Sequence, residues 1–151
     1  MANSQFLHDI EKDIDNKIVN PVNKILRQAA KEGFDSVTTL QRNGGRVPIN
    51  TGYFRSNWKL TLNAPSESVG IEPNDSQRPD TSMYAPDQYA SEFARSKAYA
   101  NRSMAVYSIK SHKGFYLTNH TRYGDIIEAN WGLMSYARQR IEHALQQINS
   151  I

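Results

Sequence analysis

Four residues carry side chains able to hold a metal ion or move a proton within a short stretch: His112, His120, Asp125 and Glu128. Gathered around one point, two imidazoles and two carboxylates would bind a divalent cation and activate water against a phosphodiester. Their spacing matches neither the H-E-x-x-H helix nor a known metal loop. Asp125 and Glu128, three apart on a predicted helix, read first as surface charge or an interface pair. The chain has no cysteine, which removes thiolate nucleophiles, thiolate zinc sites and disulfides. Asn43-Gly44-Gly45 lacks the lysine and the strand-to-helix setting of a phosphate loop. No set of nucleophile, base and orienting group is legible, so the expectation is a protein that is not an enzyme and takes no cofactor.

A second chemistry is the binding of polyanions. Basic residues are interleaved with Tyr99, Tyr107, Phe115, Tyr116 and Tyr123, rings able to stack on bases while the cations neutralise phosphates. On alternating strands about half of such rings would face a core instead. The net charge is +3, and its distribution matters more than its total. Arg42, Arg46, Arg55 and Lys59 stand in an acid-free stretch between Asp35 and Glu67. Then Glu67, Glu72, Asp75, Asp80, Asp87 and Glu92 are opposed only by Arg78. After them come Arg95, Lys97, Arg102, Lys110, Lys113 and Arg122 with no acid. Charges sorted in this way suit docking surfaces or an anionic polymer, beside the plainer reading of solvated faces. The last six are the candidate interface or DNA-facing residues.

The elements that must position these groups follow from periodicity. With 151 residues, the chain is long enough for one domain with a core, 1–151, and short for two. A hydrophobic share of 38% and a mean hydropathy of −0.67 imply a modest core and much surface left for partners. No apolar run reaches the ~20 residues a membrane span needs, and no signal peptide is legible, so the expected setting is cytoplasmic with no membrane contact. Phe6, Ile10, Ile14, Ile18, Val22, Ile25, Leu26 and Ala29 recur at threes and fours, predicting a helix over about 4–32 that kinks or restarts at Pro21 and stops at Gly33. Phe34 to Arg46 reads as a loop with helical turns.

Val47 to Leu62, VPINTGYFRSNWKLTL, packs a turn, a helix start and a strand into one stretch. Pro48 fixes φ, Asn50 or Thr51 can cap, and Gly52 permits a tight turn. Phe54 and Trp58 fall at i, i+4; from Trp58 the period drops to two, so Trp58, Leu60 and Leu62 share a face. A strand at Val69 and Ile71 would complete a first hairpin. An exposed excursion and a helix follow over about 73–102, with Tyr89, Phe93, Lys97 and Ala100 on one face. Alternation in Met104 to Lys110 and in Phe115 to Thr118 predicts a second hairpin. C-terminal helices over about 121–149 are broken at Gly132, with Leu133, Ala137, Ile141, Ala144, Leu145 and Ile148 inward. The expected fold class is α+β: an antiparallel sheet of two hairpins, about 58–72 and 104–119, against long N- and C-terminal helices, with the loop and helix inserted in the middle.

Two segments resemble a known family. Val-Pro, then Thr-Gly, a hydrophobic or aromatic pair, Arg, and Ser-x-Trp is similar to the signature of minor tail or tail-completion (neck) proteins of tailed bacteriophages. Val47, Pro48, Thr51, Gly52, Phe54, Arg55 and Ser56 match it, with Trp58 closing the run. Ile49 and Asn50 are mild departures, Asn50 keeping a capping oxygen where the family has an aspartate. Asn119, Tyr123 and Glu128 keep the spacing of the family's second motif, while Gly132 comes two residues late and the middle from Pro73 to Ser103 is longer than usual. The resemblance implies a structural virion protein at the head-to-tail junction, a head-tail connector component that forms a homo-oligomeric ring, hexamer or dodecamer. Its partners would be itself, the connector or adaptor, and the tail terminator or tube, with DNA passing through the lumen. Two alternatives stand beside it: a nucleic-acid-binding module using the basic hairpin, and a metal-dependent nuclease.

Overall fold

The computed structural model describes residues 2–47, 53–68, 89–121 and 124–151. Over these residues the protein is mostly helical, with one small antiparallel two-stranded sheet. The chain opens on α1 (Ala2–Ile14), passes through a π-turn at Asp15–Val19, and continues as α2 (Asn20–Thr38). Backbone angles stay helical across both joins, so these segments form one unbroken rod. Pro21 has no N–H to give and its ring crowds the preceding turn. The chain meets this by widening that turn, where the Asn20 N–H reaches back five residues to the Asp15 carbonyl. The widening serves the apolar stripe as well. A spacing of four overruns the 3.6-residue turn by about 40° per step, and a π-turn takes up that drift.

The rod passes the expected stop at Gly33. Gly33 is buried, and a methyl there would sit 2.7 Å from Ile141 Cδ1 and push that side-chain end aside. Phe34 and Val37 are buried in the next turn, so the stretch expected as a loop begins as helix. After Thr38 the chain closes a clasp in which Val47 N donates to Thr39 O (3.1 Å) and Gln41 N to Val47 O (3.0 Å). Gly44 takes φ +84°, and a Cβ on Gly45 would collide with the Thr39 carbonyl, which is the role of the double glycine.

A short α3 (Tyr53–Ser56) leads to β1 (Lys59–Leu62). Then come α4 (Ala90–Val106), β2 (Phe115–Thr118), α5 (Gly124–Trp131), α6 (Leu133–Leu145) and a terminal 3-10 turn, Gln146–Ser150. β1 pairs with β2 in the register Lys59↔Thr118 to Leu62↔Phe115. The second hairpin is therefore not formed as expected. Met104, Ala105 and Val106 finish α4, because Ser96, Ala100 and Ser103 bury a helical face that continues into them, and β2 takes a distant partner. The candidate strand at Val69 and Ile71, the start of the expected excursion and helix from 73 to 88, and the acids Glu72, Asp75, Asp80 and Asp87 lie outside the described residues.

The core gathers Phe34, Val37, Leu40, Val47, Trp58 and Leu60 with Ala100, Leu133 and Ala137, so α2, the clasp, the sheet, α4 and α6 share one apolar centre. Ile148, expected inside, is exposed because the chain has left α6 for the terminal turn. Among the described residues no helix is long and apolar enough to cross a membrane.

Outside the core, Arg140 on α6 donates to Glu32 on α2 through Nε (3.1 Å) and Nη2 (2.5 Å). The hydrogen bond from Arg140 holds the Glu32 carboxyl below its ordinary range, against burial that pushes it up. A carboxyl lowered in this way adds stability above its unfolded pKa, and that stability is lost as pH falls through the folded value. Arg140→Met should lower the melting midpoint slightly at neutral pH, since the pair is part-solvated, and its deficit should close below the carboxylate range. A deficit that ignores pH would contradict the pairing. Trp58→Ala removes a buried indole at a cost of about 3–5 kcal/mol, which in a chain of this size is a fall of roughly 6–20 °C in the midpoint. An unchanged midpoint would put the ring outside the core.

Candidate functional site

The two motif segments meet. Asn119, just beyond β2, donates from Nδ2 to the Phe54 carbonyl at the end of α3 (2.9 Å) and accepts from the Thr121 N–H at Oδ1 (3.1 Å). An asparagine suits this place because one amide supplies both a donor and an acceptor. It ties α3 to the segment entering α5 across sixty-five residues of sequence.

Around that tie the first motif is built inward. Phe54 stands edge-on to Trp58, with ring centroids 5.6 Å apart at 84°. The Arg55 guanidinium lies 3.9 Å over the Phe93 ring of α4. Ser56 and Trp58 are buried, and the Trp58 carbonyl accepts from the Ser96 hydroxyl, fixing α4 to the start of β1. The second motif is a helix corner. Gly132 adopts φ +58°, a conformation that glycine takes without strain, and its N–H donates to the Glu128 carbonyl (2.8 Å). The Glu128 carboxylate then accepts from Met134 N (2.8 Å) at the first turn of α6. One glutamate ends α5 with its carbonyl and caps α6 with its side chain. Pro48, Thr51, Gly52, Arg122 and Tyr123 lie outside the described residues.

The possible metal ligands go separate ways. His112 accepts at Nδ1 from the Ser108 N–H (3.1 Å) and stacks on Tyr107, while His120 Nε2 meets the Ser66 carbonyl at 2.6 Å. Glu128 is committed to α6, and the side chain of Asp125 is outside the description. Among the described residues no three histidine or carboxylate groups are placed to share an ion. A cavity of about 200 Å³ between α2, α6 and the sheet is lined by residues with apolar side chains, among them Leu26, Leu60, Phe115, Leu117 and Ile141, with no polar side chain to orient a substrate.

The basic residues form a surface of a different kind from the expected hairpin. Arg95, Lys97 and Arg102 are exposed on α4, with Arg102 6.0 Å over the Tyr99 ring. Lys110 forms an ion pair with Asp15 of the π-turn, and Lys113 is exposed while its N–H donates to Asn63 Oδ1 (2.7 Å). Sequence reading missed Asn23. It is buried in α2, where it accepts from Ile109 N at 2.8 Å and so holds the segment leaving α4. A buried asparagine on the apolar side of an amphipathic helix was the available signal, since such a group has to find partners.

Asn119→Leu keeps the branched outline but strands the Thr121 N–H and leaves the Phe54 carbonyl with the Asn57 N–H alone (3.3 Å), at a cost of about 1–3 kcal/mol. Amide exchange should accelerate in α3 and α5 together. Faster exchange in only one of them would mean that the tie does not couple the motifs.

Compared with protein-family models, curated proteins and solved structures, the chain finds no match in any of the three.

Proposed function

We propose that the protein is a structural component of a tailed-bacteriophage virion, a tail-completion or neck subunit that assembles as a homo-oligomeric ring at the head-to-tail junction. It contacts neighbouring neck and tail proteins, leaves a path for DNA, and catalyses nothing. The observation that carries this reading is the Asn119 to Phe54 hydrogen bond, which joins the two segments resembling that family into one structural unit. Each motif residue described within it packs, caps or ties: Trp58 is buried, Arg55 covers Phe93, and Glu128 caps α6. Motifs spent on internal geometry suit a part whose task is to present a shaped surface in many copies. Six or twelve copies are what the family resemblance favours.

The nucleic-acid reading rested on a basic hairpin, and those residues instead divide among a helix end, a loop and one strand. What remains for it is the exposed basic row of α4.

Quantitative mass spectrometry of purified particles should find the chain in a fixed ratio to the tail proteins. Particles assembled without it should accumulate as DNA-filled heads and separate tails. Joined, infectious particles lacking the chain would refute the proposal, as would metal-dependent DNA cleavage by the pure protein that is lost in His120→Ala.

A further inference from the structure

The N-terminal helix presents an apolar ridge that stands exposed among the described residues. Phe6, Leu7, Ile10, Ile14 and Ile18 are 64%, 59%, 40%, 45% and 52% exposed. Five large apolar side chains in a row make a contiguous patch of a few hundred Å2, about the most a free monomer carries without a partner. The ridge is flanked by acid: Asp9, Glu11, Asp13 and Asp15 against Lys12 and Lys17 leave a net −2 over residues 2–19.

A surface of opposite character lies on α4. Arg95, Tyr99, Arg102 and Val106, at i, i+4, i+7 and i+11, share its outer face, and Tyr99 and Val106 are 47% and 62% exposed. Within α4 the cations Arg95, Lys97 and Arg102 stand against the single acid Glu92, a net +2. An acidic apolar ridge and a basic apolar face thus stand on the same molecule, and α1, at ~20 Å, is comparable in length to α4 at ~25 Å.

The ridge cannot reach its own α4. The rod is unbroken from α1 into α2, and Asn23 and Arg27 near the start of α2 hold Ile109 and Tyr107 just past the end of α4. From there α4 runs back beside α2, away from α1, with Asn101 and Met104 facing Gln28 and Lys31 across a groove. Pairing of two α1 ridges would set acid against acid, which disfavours that contact.

We propose that α1 of one copy docks on the α4 outer face of the next copy of this chain, Phe6, Ile10 and Ile14 packing on Tyr99 and Val106 while Asp9 and Glu11 meet Arg95 and Arg102. Donor and acceptor are different surfaces of one chain, so the contact is heterologous, and its repetition generates a ring when the rotation closes. This step rests on the ring proposed above and names its contact.

Two charge-reversed proteins test it. One carries Asp9→Lys, Glu11→Lys and Asp13→Lys; the other carries Arg95→Glu and Arg102→Glu. All five positions are exposed, so circular dichroism should show both chains folded. In sedimentation each alone should self-associate more than about tenfold more weakly than wild type. An equimolar mixture should recover the wild-type assembly, because each reversed surface then meets a complementary one. A wild-type chain that stays monomeric, an α4 variant that assembles normally, or a mixture that stays dissociated would each overturn the contact. Normal assembly combined with lost DNA binding in the α4 variant would also overturn it and assign that face to nucleic acid. Recovery in the mixture with the chain absent from particles would keep the contact and remove the neck reading; the converse pattern would do the opposite.

Discussion

The pairing of β1 with β2 is the constraint on which the remaining structure depends. Four residues on each side are too few to make a stable sheet alone, so the pair holds only because Leu60 and Leu117 are covered by α2 and α6 and because Trp58 fills the space beneath. In return, the pairing brings the chain after β2 beside α3, where Asn119 can reach Phe54. It also brings Asn63, in a left-handed turn at φ +68°, against Lys113 and Gly114. Without that register the two motif segments would be distant pieces of chain.

The body and the N-terminal helix follow different rules. In α2 the apolar stripe finds α6 and the sheet, and the small residues Ala29, Ala30 and Gly33 line the cavity left between them. The stripe of α1 continues along the rod through the π-turn at Asp15–Val19, with the side chains of Phe6, Leu7, Ile10, Ile14 and Ile18 in solvent. A helix whose apolar side is exposed among the described residues gains most of its stability when something else covers that side. The polar balance of the sequence has the same meaning: part of the apolar surface that would normally fill a core faces outward.

Much of the helical layout was legible, because long periods of 3.6 are hard to mistake. The turn from Phe54 to the strand at Leu60 and the break at Gly132 were readable from residue type and spacing. The misreadings have physical causes. Gly33 looks like a helix stop, yet it is buried within the helix, close to Ile141. Met104 to Lys110 alternates like a strand, but Ala100 and Ser103 had already committed that face to helical burial. The partner of β2 could not be read locally, because its pairing is decided by what covers Leu60 and Leu117. Of the candidate site residues, Trp58 and Gly132 announced themselves by size and backbone freedom, whereas Glu128 read as a possible metal ligand or surface charge and its cap on α6 is seen only in the fold. Asn119 entered only through the family resemblance, because its partner Phe54 lies sixty-five residues away and only the fold brings the two together.

Closure of identical subunits through one repeated contact is the central claim, and native mass spectrometry of the wild-type chain measures it directly. A single dominant assembly with one integral copy number, free of larger members, is the expected result. A monomer at every concentration, or an open ladder of sizes growing with concentration, would contradict a closed ring.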